Sequence, residues 1–231
     1  MIKTSYNTAS WTIIGTALIT FILFVVPFLS PLAYPFMLLS TLFHEMSHGI
    51  AAMLVGGHFE SFKMWSDGSG VANISGQFGN IARAFVAASG LIGPAIFAAL
   101  FFASAKTDYR ARIMLASCGI VLALSILLIV RNLFGVFFIA VVAGLCLYFS
   151  LGAGQKYSRA VLSFLAMQLS ISVFSRSDYL FTQTAETSAG PMPSDVAQIA
   201  NALVLPYWFW GAWCGLFSVL VLVYGIRQLF R

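Results

Sequence analysis

Apolar runs of membrane-spanning length, separated by short polar breaks, make up most of this chain. A helix needs roughly 20 apolar residues to cross a bilayer, and the first such run predicts a span over 11–28. That run is longer than a signal-peptide core and lacks a basic flank with a cleavage site behind it, so it is read as a retained span. Prolines at 31 and 35 predict a tight connection. A second span follows over 36–55, which Gly56 and Gly57 end. Over 58–76 the pattern changes to alternating residues about the turn-rich Ser66, Asp67, Gly68, Ser69 and Gly70, which predicts a β-hairpin. Further spans are predicted over 81–103, 113–130, 133–151 and 160–174. A polar loop over about 175–194 leads to a helix start at Ser194 and Asp195, and a last span ends near Gly225.

The expected fold is therefore an all-α polytopic membrane protein of about seven spans, or six if the fourth and fifth form a shorter hairpin, with one β-hairpin after the second. Residues 1–231 are read as a single membrane domain. In the third span, Ala87, Ala88, Ser89, Gly90, Gly93 and Ala95 are small enough to admit another helix, and packing on the second span is expected. Composition agrees: 60% of residues are hydrophobic and 8% charged, against about 25% charged in soluble domains. The net charge of +5 is spread over loops, which excludes a nucleic-acid patch and serves as a topology signal that places the C-terminus in the cytoplasm. Cys118, Cys146 and Cys214 lie in separate apolar stretches without zinc-site spacing and read as packing residues. Trp208, Trp210 and Trp213 suggest an interfacial belt, with core packing as the rival reading.

One stretch carries chemistry. His44, Glu45, Met46, Ser47 and His48 lie within the second span. Residues four apart on a helix leave the same face, so both imidazoles can converge on one ion, with Glu45 beside it. Zinc held by neutral imidazoles with an open position lowers the pKa of a water, and a neighbouring carboxylate can take its proton. Ionisable groups within a span are costly and mark function by default. A catalytic zinc takes three protein ligands, and the motif supplies two. His58 follows the helix too closely to reach back easily, and reads as hairpin surface. Asp178, Glu186 and Asp195 are the late acidic candidates, although Asp195 also suits a helix start and Asp178 can pair with Arg176. The hairpin can be an edge strand that holds an extended peptide by backbone pairing, or a plain connection.

The motif within a span, the Gly-rich hairpin after it, and Gly90, Leu91, Ile92, Gly93 and Pro94 in the next span resemble the site-2 protease superfamily of intramembrane zinc peptidases. The late Ser194-Asp195 pair, Ala200 and the aromatic last span are similar to its small M50B-like branch. That resemblance implies one zinc per chain, Glu45 as catalytic base, and a membrane-spanning segment as substrate. It also implies a late Asp as third ligand. The wider family sets this Asp in a Leu-Asp-Gly or Asn-Pro-Asp-Gly context that this sequence lacks, so the role passes to Asp195 first and Asp178 second. The expected location is a bacterial inner membrane, with the lipid bilayer and a substrate or partner helix as partners and no nucleic acid. A non-catalytic protein that binds partner helices is the alternative, and a metal transporter ranks last. Two His and one carboxylate can also hold iron.

Overall fold

The computed structural model describes residues 30–175 and 177–230, with positions 15, 18, 22 and 28 besides. Apart from those isolated positions, the expected first span over 11–28 lies outside the described residues. Helix α1 runs Ser30–Leu54 and so begins before the predicted break. Pro31 falls in its first turn, where backbone N–H groups have no helical acceptor and the missing one is not needed. Pro35 lies inside the helix and forfeits a single bond.

Strands β1 (His58–Met64) and β2 (Gly70–Ser75) form the expected antiparallel hairpin, with Phe62 opposite Ala72. Then come α2 (Asn80–Ser104), α3 (Asp108–Leu128), α4 (Leu133–Leu151) and α5 (Ser158–Ser175). Short 3-10 turns lie over Ala153–Tyr157 and Ser177–Phe181. The expected polar loop over 175–194 is in large part a second hairpin, β3 (Thr184–Thr187) and β4 (Gly190–Pro193). Helices α6 (Asp195–Ala202) and α7 (Tyr207–Phe230) complete the fold. The described residues are thus mostly helical with two small sheets, where one hairpin was expected. Among the described residues, α2, α3, α4 and Tyr207–Leu229 of α7 are long and apolar enough to cross a membrane.

Helix α2 is the centre of the assembly and packs against α1, α5, α6 and α7. Its small residues make that possible. A methyl group at Gly93 would overlap the Ser47 hydroxyl on α1, and one at Gly225 of α7 would overlap Ala99. The expected packing of the third apolar segment on the second is therefore observed. Phe43, Phe62, Met64, Phe101, Phe102, Leu115, Ile139 and Leu162 fill the core between these helices and the first hairpin. Trp208 and Trp213 are exposed on α7, whereas Trp210 packs against the Val196 and Ile199 cluster, so the aromatics divide between both expected roles.

Both hairpins are tied down by hydrogen bonds. Phe62 N–H donates to the Ile129 carbonyl at 2.8 Å, and Arg131 N–H donates to the Phe62 carbonyl at 3.0 Å. The α3–α4 turn thus occupies the outer edge of β1. Asn132 bridges Met64, accepting from its N–H at 3.2 Å and donating to its carbonyl at 2.5 Å. On the other side, Tyr34 Oη donates to the Ser66 carbonyl at 2.6 Å and Thr41 Oγ1 to the Gly68 carbonyl at 2.7 Å. The hairpin tips meet where Ser188 Oγ donates to Asp67 Oδ2 at 2.6 Å and Ser188 N–H to Ser69 Oγ at 3.2 Å. Hydrogen bonds from Ser188 and Ser69 hold the Asp67 carboxyl below its usual range.

Asn132→Ala removes both side-chain bonds to Met64, at a cost of about 2 kcal/mol. The expected result is faster amide hydrogen exchange across residues 58–64 and a lower midpoint of thermal unfolding in detergent. Unchanged exchange there would show that the clamp does not hold the hairpin.

Candidate metal centre

The His-Glu-Met-Ser-His stretch falls in the second half of α1, on the face that meets Gly90 and Gly93 of α2 and Asp195 of α6. His44 and His48 project one turn apart, as the helical repeat requires. Their rings lie almost perpendicular, at 87°, with the two Nε2 atoms 3.3 Å apart. His48 Nδ1 lies 2.8 Å from the Val86 carbonyl. A carbonyl can only accept, so Nδ1 carries the proton and Nε2 keeps its lone pair for the site. Close approach of α2 is a condition of this geometry, because any side chain at Gly90 would overlap the His48 ring. Tyr179 stacks edge-on against His44 with ring centroids 5.9 Å apart.

The third element is the first residue of α6. Asp195 Oδ2 lies 3.0 Å from His44 Nε2 and Oδ1 lies 3.3 Å from His48 Nε2, with the carboxylate 5% exposed. Local chemistry fixes it there. Ser194 caps α6 by accepting from Ala197 N–H at 3.2 Å, and it is itself tied to the incoming chain through bonds to the Thr182 and Gln183 carbonyls. The structure thus brings His44, His48 and Asp195 together. Asp178 lies in the turn Ser177–Phe181, and its side chain is outside the described residues. His58 is exposed at the start of β1, paired with Ser75, and is not one of the residues whose donor atoms converge.

These residues fit a small metal ion. One donor atom from each of His44, His48 and Asp195 lies within 4.8 Å of the others. Asp195 Oδ2 is buried and accepts no hydrogen bond, although His44 Nε2 is its near neighbour. A buried carboxylate oxygen without a donor is expensive unless a cation shares it. The two histidine nitrogens stand 3.3 Å apart, and each faces its own Asp195 oxygen, Oδ2 at 3.0 Å and Oδ1 at 3.3 Å. Bonds of roughly 2.0–2.1 Å in tetrahedral zinc geometry set ligand atoms roughly 3.3 Å apart, which is the spacing of the two histidine nitrogens.

Glu45 points to the hairpin. Its Oε2 accepts from Ala72 N–H at 2.7 Å, and Gly70 lies so close that a methyl there would press on the Glu45 side chain. Because Phe62 turns its N–H and carbonyl toward the α3–α4 turn, its partner Ala72 turns its own away from β1, toward α1. The outer edge of β2 therefore faces the site. A cleft of about 470 Å³ opens there, lined by His44, Glu45, His48, Ala72, Ile74 and Asp195 among others, with Ala185, Thr187, Met192 and Pro193 of the second hairpin on its far wall. Sequence reasoning does not reach the Val86 carbonyl, since a backbone acceptor leaves no residue signature. It also misses the second hairpin as a wall of the cleft.

The sequence model of the Peptidase M50B-like family matches residues 14–225. No curated protein and no solved structure matches the chain. This chain belongs to the Peptidase M50B-like family of the site-2 protease superfamily. Membership and the four apolar helices together describe an integral membrane protein of peptidase ancestry.

Elemental analysis of detergent-purified protein tests the centre. About one divalent metal ion per chain is expected, falling at least ten-fold in His44→Ala and in Asp195→Ala and unchanged in His58→Ala. A metal content indifferent to Asp195 would remove it from the site.

Proposed function

We propose that this protein is an intramembrane zinc metalloendopeptidase that hydrolyses a peptide bond in or near a membrane-spanning segment of its substrate. The observation that carries the reading is the convergence of His44 Nε2 and His48 Nε2, 3.3 Å apart, on the Asp195 carboxylate, whose Oδ2 lies 3.0 Å from the first and Oδ1 3.3 Å from the second. Two imidazoles and one carboxylate suit tetrahedral zinc with one position left for chemistry. His44, His48 and Asp195 would hold one zinc ion per chain. Bound there, zinc supplies Lewis-acid polarisation of the substrate carbonyl and an acidified water. Iron shares the donor preference, and elemental analysis separates the two.

Glu45 takes the proton of the attacking water and later gives it to the leaving amine. Its position is defined, since the Ala72 N–H holds Oε2 and leaves the other oxygen for proton transfer. His48 is kept in one tautomer by the Val86 carbonyl, and Tyr179 packs against the His44 ring. The edge of β2 has a part in the same step. A helical substrate hides its carbonyls in internal hydrogen bonds, so a segment must unwind before attack. The Ala72 carbonyl and the Ile74 N–H on the outer edge of β2 can pair with the unwound segment.

The reading extends to the whole chain as one membrane unit of six or seven spans. In it α1 and α5 cross the bilayer with the apolar helices, and the membrane is a bacterial inner membrane. The substrate is then a membrane protein that reaches the cleft from the lipid or is presented there by a partner.

Glu45→Gln is expected to lower cleavage of a reconstituted membrane-segment substrate by 10³-fold or more while the bound zinc is retained. Cleavage that survives Glu45→Gln would remove the proton-transfer role. No cleavage by the zinc-loaded wild type, with tight retention of helical peptides, would favour the non-catalytic helix-binding alternative.

A further inference from the structure

One charged side chain of the cleft is not used by this chemistry. Besides the two histidines and Tyr179, the ionisable residues that line the cleft are Glu45, Asp195 and Arg83. Both acids are engaged at the site. Arg83 stands in the first turns of α2 and is exposed, and among the described residues its guanidinium has no hydrogen-bond or ion-pair partner. It lies one helical turn before Val86, whose carbonyl holds His48, and two turns before Gly90, which admits the His48 ring. Ile74 of β2 packs in the same apolar cluster as Val86 and Phe78, which brings the far end of β2 against this part of α2. Asn201 and Gln198 of α6 line the cleft as well; the Gln198 amide donates to the Pro193 carbonyl at 3.2 Å, and the Asn201 amide is the donor left over.

We infer that Arg83, with Asn201, forms a subsite for a carboxylate of the substrate. The inference rests on the peptidase reading and adds a substrate preference to it. A peptide extended along the outer edge of β2 passes Ala72, beside Glu45, then Ile74, and then reaches Arg83. At about 3.3 Å per residue, the acidic group stands about two to four residues from the bond that is cut. An unpaired guanidinium recognises a carboxylate through paired, charge-assisted hydrogen bonds, and an amide N–H₂ lining the same cleft adds a donor. With both cleft acids committed, no fixed negative charge competes for Arg83. An acidic Asp or Glu side chain and a free C-terminal carboxylate present the same chemistry.

Binding separates this claim from catalysis. The probes are fluorescein-labelled membrane-segment peptides that carry Glu, Gln or Lys at each position two to four residues either side of the central bond. A further pair ends there as free acid or amide. Binding is measured to the full-length Glu45→Gln protein in nanodiscs. At one position the Glu peptide should bind at least ten-fold more tightly than its Gln and Lys counterparts, and the free-acid and amide pair shows whether a terminal carboxylate serves as well. Added Arg83→Gln should abolish the discrimination, and Arg83→Glu should reverse it in favour of Lys. Equal binding of all peptides, binding of none, or a uniform weakening by Arg83→Glu overturns the subsite. Turnover of the same peptides by the wild type is scored apart: charge-selective binding without cleavage would sink the peptidase reading and leave the subsite standing.

Discussion

A carboxylate buried between two imidazoles is the constraint around which this structure is arranged. Asp195 has lost nearly all contact with water, and the atoms facing it are ring nitrogens. One of these, on His48, has its proton on the far side of the ring, bonded to Val86. Left alone, a buried carboxylate costs several kcal/mol, so a positive charge must share the site. Meeting that condition requires α1, α2 and α6 to converge within a few ångströms. Glycine at position 90 permits the approach, and the Ser194 cap fixes the direction from which Asp195 enters. The macrodipole of α6 favours an acid at its first position, so local helix energetics and the demands of the site agree there.

The hairpins solve a different problem. Strand edges carry unpaired N–H and carbonyl groups, which lipid cannot satisfy. In this fold the outer edge of β1 is paired with the α3–α4 turn, and the outer edge of β2 faces α1 and the cleft. The exposed backbone is therefore gathered where water and the proposed substrate are. Pro191 and Pro193 blunt β4 in the same way, since each removes a donor from the strand. The Asp67 and Ser188 contact then joins the two tips, so both walls of the cleft are held from one end.

How much of this could be read from the chain depends on the distance over which each signal acts. His44 and His48 converge because of the helical repeat alone, so the motif and its facing were legible. The first hairpin was legible too, through alternation about a glycine-rich turn. Asp195 stands 147 residues beyond His48 on a separate helix. No local periodicity links the two: residue type leaves Asp195 as one of three late acidic candidates, and the family resemblance puts it first. The second hairpin reads as loop because its strands are short and rich in Thr, Pro and Gly; only Ala185 is buried in them. Its pairing depends on tertiary contact with the first hairpin. The early start of α1 at Ser30 had a local explanation that the proline rule, applied without regard to position in the helix, passes over.

Backbone pairing also sets what the proposed cleft cannot do. When a substrate unwinds, each freed N–H and carbonyl exchanges an internal partner for one on β2, and the net hydrogen-bond energy changes little. That exchange lowers the cost of exposing a carbonyl to attack. It does so for any sequence, because β2 offers main-chain groups that read no side chains. Selectivity must then come from two sources: the ease with which a given segment leaves its helix, and side-chain contacts further along the cleft. Helix-weakening residues near the scissile bond would serve the first. An unpaired cation such as Arg83, set against a wall otherwise short of charge, is the kind of group that serves the second. A peptidase built this way recognises a substrate by how it unfolds locally and by a few charged positions, with little use for an extended side-chain consensus.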